Sequence, residues 1–115
     1  ASCLVGSEMC IRDRLYVEDG ARSLIKSINI PDGHHLFNVG VEKGISIKEL
    51  AEIIKLEVGW DGEFNYDQSK PDGVLEKKVD GTKGKEILEW EVSTELRMGI
   101  RNTVDWYNKN YEQYG

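Results

Sequence analysis

The chain has 115 residues, which is the size of one small domain. Hydrophobic residues make up 39% of it and charged residues 31%, which is typical of a globular rather than a disordered chain. The net charge of -6 argues against non-specific nucleic-acid binding, which needs a basic surface, and the apolar runs are too short to span a membrane. An anionic small ligand stays open, because a few local Lys or Arg side chains override the net charge.

The first fourteen residues, ASCLVGSEMCIRDR, have the periodicity of neither a helix nor a strand and lack the pattern of a signal peptide. Ten of them, LVGSEMCIRD, resemble the translation of a common transposase-type sequencing-library adaptor. We therefore expect residues 1–14 to be an artefactual, disordered leader and residues 15–115 to be the domain. The alternative is a genuine, poorly ordered terminus. Both cysteines, Cys3 and Cys10, lie in the leader, so the rest of the chain suits a reducing, cytoplasmic compartment.

The first elements after the leader are predicted to be a strand, a helix and a second strand. Residues 15–17 predict a short strand, and residues 20–28 predict a helix with Asp19 as its N-cap. The apolar positions of this helix fall on one stripe, formed by Ala21, Leu24, Ile25 and Ile28. Residues 36–39 then predict a short buried strand.

The strongest local pattern is Ser46-Ile47-Lys48-Glu49, which matches a capping box. In this motif the Ser hydroxyl and the Glu carboxylate each bind a backbone N–H that the first helical turn leaves without a partner. The pattern predicts a helix over residues 47–58 that ends at Gly59.

The remaining elements are a strand over residues 63–66, a loop at 69–73, a helix over 83–90 and a last helix from about residue 94 to beyond 107. Gly99 in the last helix predicts a close approach of another part of the chain. The order of elements is α/β, with too few strands for a complete doubly wound sheet. The three tryptophans are predicted to anchor the core or a subdomain interface.

Two patterns that carry chemistry in other proteins are interpreted here as accidental. Residues 66–70 match Tyr-x-x-x-Lys, a catalytic pair that needs a helix to bring both side chains onto one face. Tyr66 instead follows a strand pattern, and Pro71 biases Lys70 away from helical geometry. The adjacent His34 and His35 lack a third metal ligand at a suitable spacing. We therefore expect neither a catalytic residue nor a metal site in the chain.

No glycine-rich dinucleotide loop follows a strand, so no cofactor-binding residue is expected either. Two lysines, Lys77 and Lys78, flank the loop at 69–73 and have the charge to contact a pyrophosphate. Alternating charges of this kind are also typical of a solvated surface.

Several segments resemble the extended short-chain dehydrogenases. Leu-Tyr-Val-Glu-Asp (15–19) is similar to their strand-to-helix junction L-[HY]-V-x-D. Phe-Asn-Val-Gly (37–40) and Ser-Ile-Lys-Glu-Leu-Ala (46–51) are similar to their N-V-G and [ST]-I-x-E-L-A motifs. The segment from Gly99 to Tyr107 is similar to their closing G-[IL]-x-x-T-[YV]-x-W-[FY] helix.

The sequence Ser-Lys-Pro-Asp-Gly (69–73), followed by Lys77 and Asp80, resembles the GDP-L-fucose synthases within this family. The resemblance implies an incomplete α/β fold, the C-terminal substrate-binding subdomain of a Rossmann-type extended short-chain dehydrogenase. Members of the family epimerise C3 and C5 of GDP-4-keto-6-deoxymannose and reduce C4 with NADPH. The cofactor and the catalytic residues belong to an N-terminal domain, so the resemblance implies a chain that binds a GDP-sugar and is inactive alone. It also implies a homodimeric parent.

The resemblance assigns the contact with the sugar nucleotide to Asp72 first, and then to Lys70, Gly73 and Lys77. The chain departs from the family where T-P-R-K is replaced by residues 74–77, Val-Leu-Glu-Lys, and where L-G-W is replaced by Leu-Glu-Trp at 88–90. A glutamate in place of a basic residue argues against a pyrophosphate contact at position 76. Arg-Asp at 12–13 is similar to the family's Arg-Glu, but it lies in the leader and receives no weight.

Two other functions stay open from the sequence. The chain is also compatible with a fragment of another nucleotide-sugar epimerase or dehydratase, because the motifs other than the loop at 69–73 are common to that wider family. A free-standing ligand-binding or interaction module is the third interpretation, since the length suffices for one small core.

Overall fold

The computed structural model describes residues 3–5, 10–67, 69 and 75–114. The helices are α1 (Val17–Ser27), α2 (Ile47–Val58), α3 (Thr82–Leu88) and α4 (Leu96–Tyr114). The strands are β1 (Cys3–Val5), β2 (Ile11–Arg12), β3 (Ile45–Ser46), β4 (Asn65–Asp67) and β5 (Glu76–Lys77). In these described parts of the chain, no helix combines the length and apolarity needed to cross a membrane.

The strands form two small sheets. In the first, β1 pairs with β4 in parallel. In the second, β2 lies in the centre, antiparallel to β3 and parallel to β5. The register places Arg12 opposite Ile45 on one side and opposite Lys77 on the other. The second sheet therefore brings two cationic residues onto adjacent strands.

Within the predicted leader, the structure describes two short strands, β1 and β2. Strand β2 is held on both sides, since the Ile11 N–H donates to the Leu75 carbonyl at 2.8 Å and the Ile47 N–H donates to the Cys10 carbonyl at 3.1 Å. A short central strand of this kind is fixed by its neighbours rather than by its own periodicity. The artefactual origin of residues 1–14 stays a prediction.

The strand predicted over residues 15–17 is wrong, because Val17 already begins α1. Asp19 is therefore the third residue of the helix and not its N-cap. Its carboxylate accepts hydrogen bonds from Ser93 and Thr94, far along the chain, and is not used to cap α1. A local capping rule cannot anticipate such a distant partner.

The capping box that opens α2 is confirmed. Ser46 Oγ accepts a hydrogen bond from the Glu49 N–H at 3.1 Å, and the Ser46 N–H donates to Glu49 Oε2 at 3.1 Å. The predicted end of the helix is confirmed as well, with Gly59 in the left-handed conformation at a φ of 67°. Because these signals are local, the sequence alone determines both ends of α2.

Residues 36–39 do not form the predicted buried strand. No strand among the described residues pairs with them, and the side chain of Leu36 is 79% exposed. The segment runs beside α3 instead, where Lys83 Nζ donates to the Leu36 carbonyl at 2.9 Å. Its composition indicates an extended backbone, but a ladder also requires a neighbouring strand.

The two C-terminal helices are close to their predicted ranges. Helix α3 ends at Leu88 because Glu89 adopts the left-handed conformation, with a φ of 47°. The close approach predicted at Gly99 is confirmed, since a β-carbon there would lie 3.0 Å from Cδ2 of Tyr16. Of the three tryptophans, Trp90 is buried as predicted, whereas the other two are substantially exposed.

Helix α1 buries its polar face and exposes its apolar one. Its buried residues are Asp19 and Ser23. The exposed apolar side chains are between 64% and 79% accessible, and we call them the α1 ridge: Val17, Leu24, Ile25 and Ile28. An amphipathic helix normally turns its apolar stripe to the core. The α1 ridge is thus left uncovered by the described part of this chain.

The left-handed Glu89 predicts a stabilising substitution. A side chain in this conformation is strained, and glycine is the residue that helices favour at this position. We expect Glu89→Gly to raise the free energy of unfolding by about 1 kcal/mol, measured by urea denaturation. The hydrogen bond that Lys26 Nζ donates to the Glu89 carbonyl at 2.8 Å uses the backbone and is kept.

Gly59 provides the matched control, because it ends α2 in the same conformation with no atom within 4 Å of a β-carbon. Gly59→Ala should lower the stability by about 1 kcal/mol. An unchanged or reduced stability for Glu89→Gly, alongside the expected loss at Gly59, would contradict the assignment of strain to Glu89.

Candidate functional site

Of the four predicted substrate-binding residues, one is among the residues that the structure describes. Lys70, Asp72 and Gly73 lie outside the described residues, so their placement stays a prediction. Lys77 is described, and it is an exposed residue of β5. The geometry of the site is therefore built around Lys77 and its neighbours.

Arg12 lies directly opposite Lys77 in the parallel pairing of β2 and β5. Adjacent strands are about 4.8 Å apart, and residues directly opposite each other project to the same face of the sheet. Arg12 was not predicted as a site residue, because it lies in the predicted leader. The Arg-Asp at 12–13 was the signal that points to it.

Two cations in this arrangement repel each other, because like charges opposite one another destabilise a sheet. Within the described ranges, neither Arg12 nor Lys77 forms an ion pair with a carboxylate. Arg12 Nε donates to Cys10 Sγ at 3.3 Å, which leaves the other guanidinium nitrogens for a ligand. A polyanion such as a diphosphate relieves the repulsion and satisfies both side chains.

Glu76 does not oppose an anion at this site. It forms an ion pair with Lys78, with 2.7 Å between Oε1 and Nζ, and the hydrogen bond to Glu76 raises the pKa of Lys78. Side chains alternate along an extended strand, so Glu76 and Lys78 lie on the face opposite to Lys77. The glutamate that replaces a basic residue at position 76 therefore does not face the proposed anion. Of Lys77 and Lys78, only Lys77 lies on the same face as Arg12.

A second place to consider is a cleft with a volume of about 660 Å³ between α2, α3 and the start of α4. Its lining has equal numbers of basic and acidic side chains: Arg14, Lys43, Lys85, Arg97, Glu42, Glu49, Glu91 and Glu95. Among them, Lys85 lies 3.4 Å from Glu42 and 3.6 Å from Glu91. Arg97, also in its wall, pairs with Glu57 at 2.8 Å. A cleft that is balanced in this way offers no excess of charge to a diphosphate.

The packing of α1 is fixed by the buried carboxylate of Asp19. It accepts hydrogen bonds from Ser93 Oγ at 2.9 Å and from the Thr94 N–H at 3.0 Å, and it pairs with Arg22. The Trp90 indole N–H donates to the Asp19 carbonyl at 3.0 Å. Burial acts to raise the pKa of Asp19, but these hydrogen bonds to its carboxylate lower it from 3.8 to about 2. The charge of Asp19 therefore ties α1 to the segment that leads into α4.

Comparison with known proteins gives several close relatives, although no family model matches the chain. GDP-L-fucose synthase 1 of Arabidopsis thaliana is 35% identical over 105 residues, which cover 91% of this chain and 32% of that protein. A solved GDP-L-fucose synthetase of Naegleria fowleri, bound to NADP, superimposes with a TM-score of 0.87 at 28% identity, covering 96% of this chain and 35% of that one. UDP-glucose 4-epimerase of Thermotoga maritima, solved with UDP-glucose, gives 0.85 at 30% identity, covering 95% and 35%.

The chain thus spans about a third of the length of the curated relatives that it matches, and that third is their C-terminal part. These findings confirm the predicted resemblance and the incomplete α/β fold. Over about a third of their length, the chain is therefore similar to the GDP-L-fucose synthases and to a nucleotide-sugar epimerase, and it shares their extended short-chain dehydrogenase fold.

Proposed function

We propose that this chain is the substrate-binding part of an NADPH-dependent GDP-4-keto-6-deoxymannose 3,5-epimerase/4-reductase, and that Arg12 and Lys77 hold the diphosphate of the GDP-sugar. The observation that carries the proposal is the position of these two cations, directly opposite each other on β2 and β5. Asp72 contacts the sugar nucleotide in this proposal, with Lys70 and Gly73 beside it.

The two cations contribute differently to diphosphate binding. The planar guanidinium of Arg12 donates two parallel hydrogen bonds to the oxygens of one phosphate. The ammonium of Lys77 acts as a compact point charge on a flexible stem and adjusts to the second phosphate. A ligand with two linked phosphates therefore fits this pair of one arginine and one lysine better than a ligand with a single carboxylate does.

The redox and proton-transfer chemistry belongs to the part of the relatives that this chain does not span. When bound there, NADPH supplies the hydride that reduces C4. The α1 ridge supports this division, because an exposed apolar surface on a soluble protein marks an interface. We propose that the chain is inactive alone. The homodimeric parent and the cytoplasmic location implied by the resemblance remain predictions.

A different nucleotide-sugar epimerase is the second candidate. The Thermotoga maritima UDP-glucose 4-epimerase matches the fold almost as well as the GDP-L-fucose synthetase does. GDP- and UDP-sugars share the diphosphate, so Arg12 and Lys77 do not discriminate between them. The loop at 69–73 is the sequence feature that favours a GDP-sugar. A free-standing module has less support, because the α1 ridge is uncovered.

The proposal is tested by titrating the full chain with GDP, UDP and guanosine in a calorimeter. We expect GDP to bind and guanosine, which lacks the diphosphate, to bind far more weakly. Arg12→Ala and Lys77→Ala should each weaken GDP binding by about 10-fold or more, since each removes a charge-assisted hydrogen bond. Tighter binding of GDP than of UDP supports the first candidate over the second.

Lys78→Ala is the matched control, because it removes the same charge from the opposite face of the same strand. It should change the GDP affinity by no more than about 2-fold, because its charge lies on the other face of the strand and is already paired with Glu76. If Lys78→Ala weakened binding as much as Lys77→Ala does, only the overall charge would matter and the assigned site would be wrong.

A further inference from the structure

Asp13 closes the ladder between the two strands that carry the proposed diphosphate site. Its carboxylate Oδ2 accepts a hydrogen bond from the Val79 N–H at 3.0 Å. Asp13 follows Arg12 directly, and Val79 lies two residues after Lys77. The bond therefore extends the pairing of β2 and β5 beyond its last backbone pair, just past the two cations.

A third segment, at Gly40, lies beside this exposed hydrogen bond. A β-carbon on Gly40 would lie 2.5 Å from Cγ2 of Val79 and 3.4 Å from Oδ2 of Asp13. Position 40 therefore has no room for a side chain beside these two residues. Asp13 is half-buried at this point, which favours a fixed rather than a fluctuating carboxylate.

The charge of Asp13 has the wrong sign for an anion site. A carboxylate one residue from Arg12 repels a diphosphate, and removing it should strengthen anion binding if charge were its only effect. A hydrogen bond that fixes the spacing of Arg12 and Lys77 has the opposite effect on affinity. The two roles of Asp13 therefore predict changes of opposite sign.

We propose that Asp13 is a positioning residue for the diphosphate: by holding Val79, it keeps Lys77 in register with Arg12. This inference rests on the proposed function of the two cations. Asp13 does not touch the ligand, and its contribution passes through the backbone of β5. The carboxylate thereby offsets the repulsion that its own charge introduces.

The test measures the binding of inorganic pyrophosphate to the full chain by calorimetry, for the wild type, Asp13→Ala and Asp13→Asn. Asparagine keeps an oxygen that accepts the Val79 N–H, whereas alanine does not. We expect Asp13→Ala to bind pyrophosphate about 5- to 10-fold more weakly, the range for loss of one net hydrogen bond. Asp13→Asn should bind at least as tightly as the wild type.

Hydrogen exchange of the Val79 amide gives a second readout, with faster exchange expected in Asp13→Ala and wild-type protection in Asp13→Asn. If Asp13→Ala does not fold, Asp13→Glu replaces it. This variant keeps the charge but moves the acceptor by one methylene, so weaker pyrophosphate binding is expected. Equal binding by Asp13→Glu would overturn the inference in that case.

The two proposals fail in different ways. If Arg12→Ala and Lys77→Ala leave pyrophosphate binding unchanged, the diphosphate site is wrong, and the positioning role falls with it. If those two variants weaken binding while Asp13→Ala binds as tightly as the wild type or more tightly, the site stands and the positioning role of Asp13 is overturned.

Discussion

Replacing Asp19 with alanine should lower the free energy of unfolding by about 3 kcal/mol. The carboxylate is fully buried and accepts hydrogen bonds from Ser93 Oγ, from the Ser93 N–H at 3.3 Å and from the Thr94 N–H. Alanine leaves these donors without their acceptor and removes the ionic partner of Arg22. Urea denaturation monitored by circular dichroism measures the loss. Glu18→Ala is the control, because Glu18 is an exposed acid in the same helical turn, and little change is expected there.

The pH dependence of stability provides an independent check on Asp19. Its pKa is about 2 in the folded chain, against 3.8 for an ordinary aspartate. A lowered pKa means that the folded state favours the charged form. The stabilisation, on the order of 2 kcal/mol, is therefore present above pH 4 and is lost as the pH falls towards 2. Asp19→Asn should lack this acid-dependent component. An identical loss of stability in Asp19→Asn and the wild type between pH 5 and pH 2 would contradict the assignment.

Gly84→Ala is expected to be the second most damaging substitution, with a loss of about 2 kcal/mol or more. A β-carbon at this position would lie 2.1 Å from the carbonyl oxygen of Asn38 and 3.1 Å from Cδ2 of Phe37. The obstacle at Asn38 is backbone and cannot rotate away, so α3 would have to move off residues 36–39. Thermal and urea unfolding measure the loss.

Gly20→Ala is the matched control, because Gly20 also lies within a helix but its nearest neighbour, Cδ2 of Leu15, is 3.6 Å from a β-carbon. Alanine should stabilise α1 there by up to about 1 kcal/mol through helix propensity. Equal effects at Gly20 and Gly84 would show that helix propensity, and not the contact with Asn38, determines the outcome.

Both ends of α2 were predictable because their signals are local. The capping box of Ser46 and Glu49 begins the helix, and the left-handed Gly59 ends it. Each end is thus determined by residues next to it in the sequence. The strands were less predictable because a strand exists only with a partner. Residues 36–39 have a suitable composition but no described partner strand, whereas β2 has partner strands on both sides but no periodicity.

The candidate site also combines residues that local sequence predicts with contacts that only the fold reveals. Lys77 was predicted from the sequence around it, but its pairing with Arg12 joins residues that are 65 positions apart (77 − 12) in the sequence. The buried carboxylate of Asp19 was assigned to a local cap, because nothing in the sequence shows that Ser93 and Thr94 reach it. The prediction of Lys70, Asp72 and Gly73 falls outside the described residues.

Because α1 buries its polar side and exposes its apolar side, substitutions on the two sides have different consequences. Substitutions at Asp19 or Ser23 change how this polypeptide folds, because those side chains are buried within it. Substitutions at Leu24 or Ile28 leave its own packing almost untouched, since nothing in the described chain covers them. Selection would therefore act separately on the two sides of α1. The buried side is constrained by the folding of this chain, and the exposed side by the surface that packs against it.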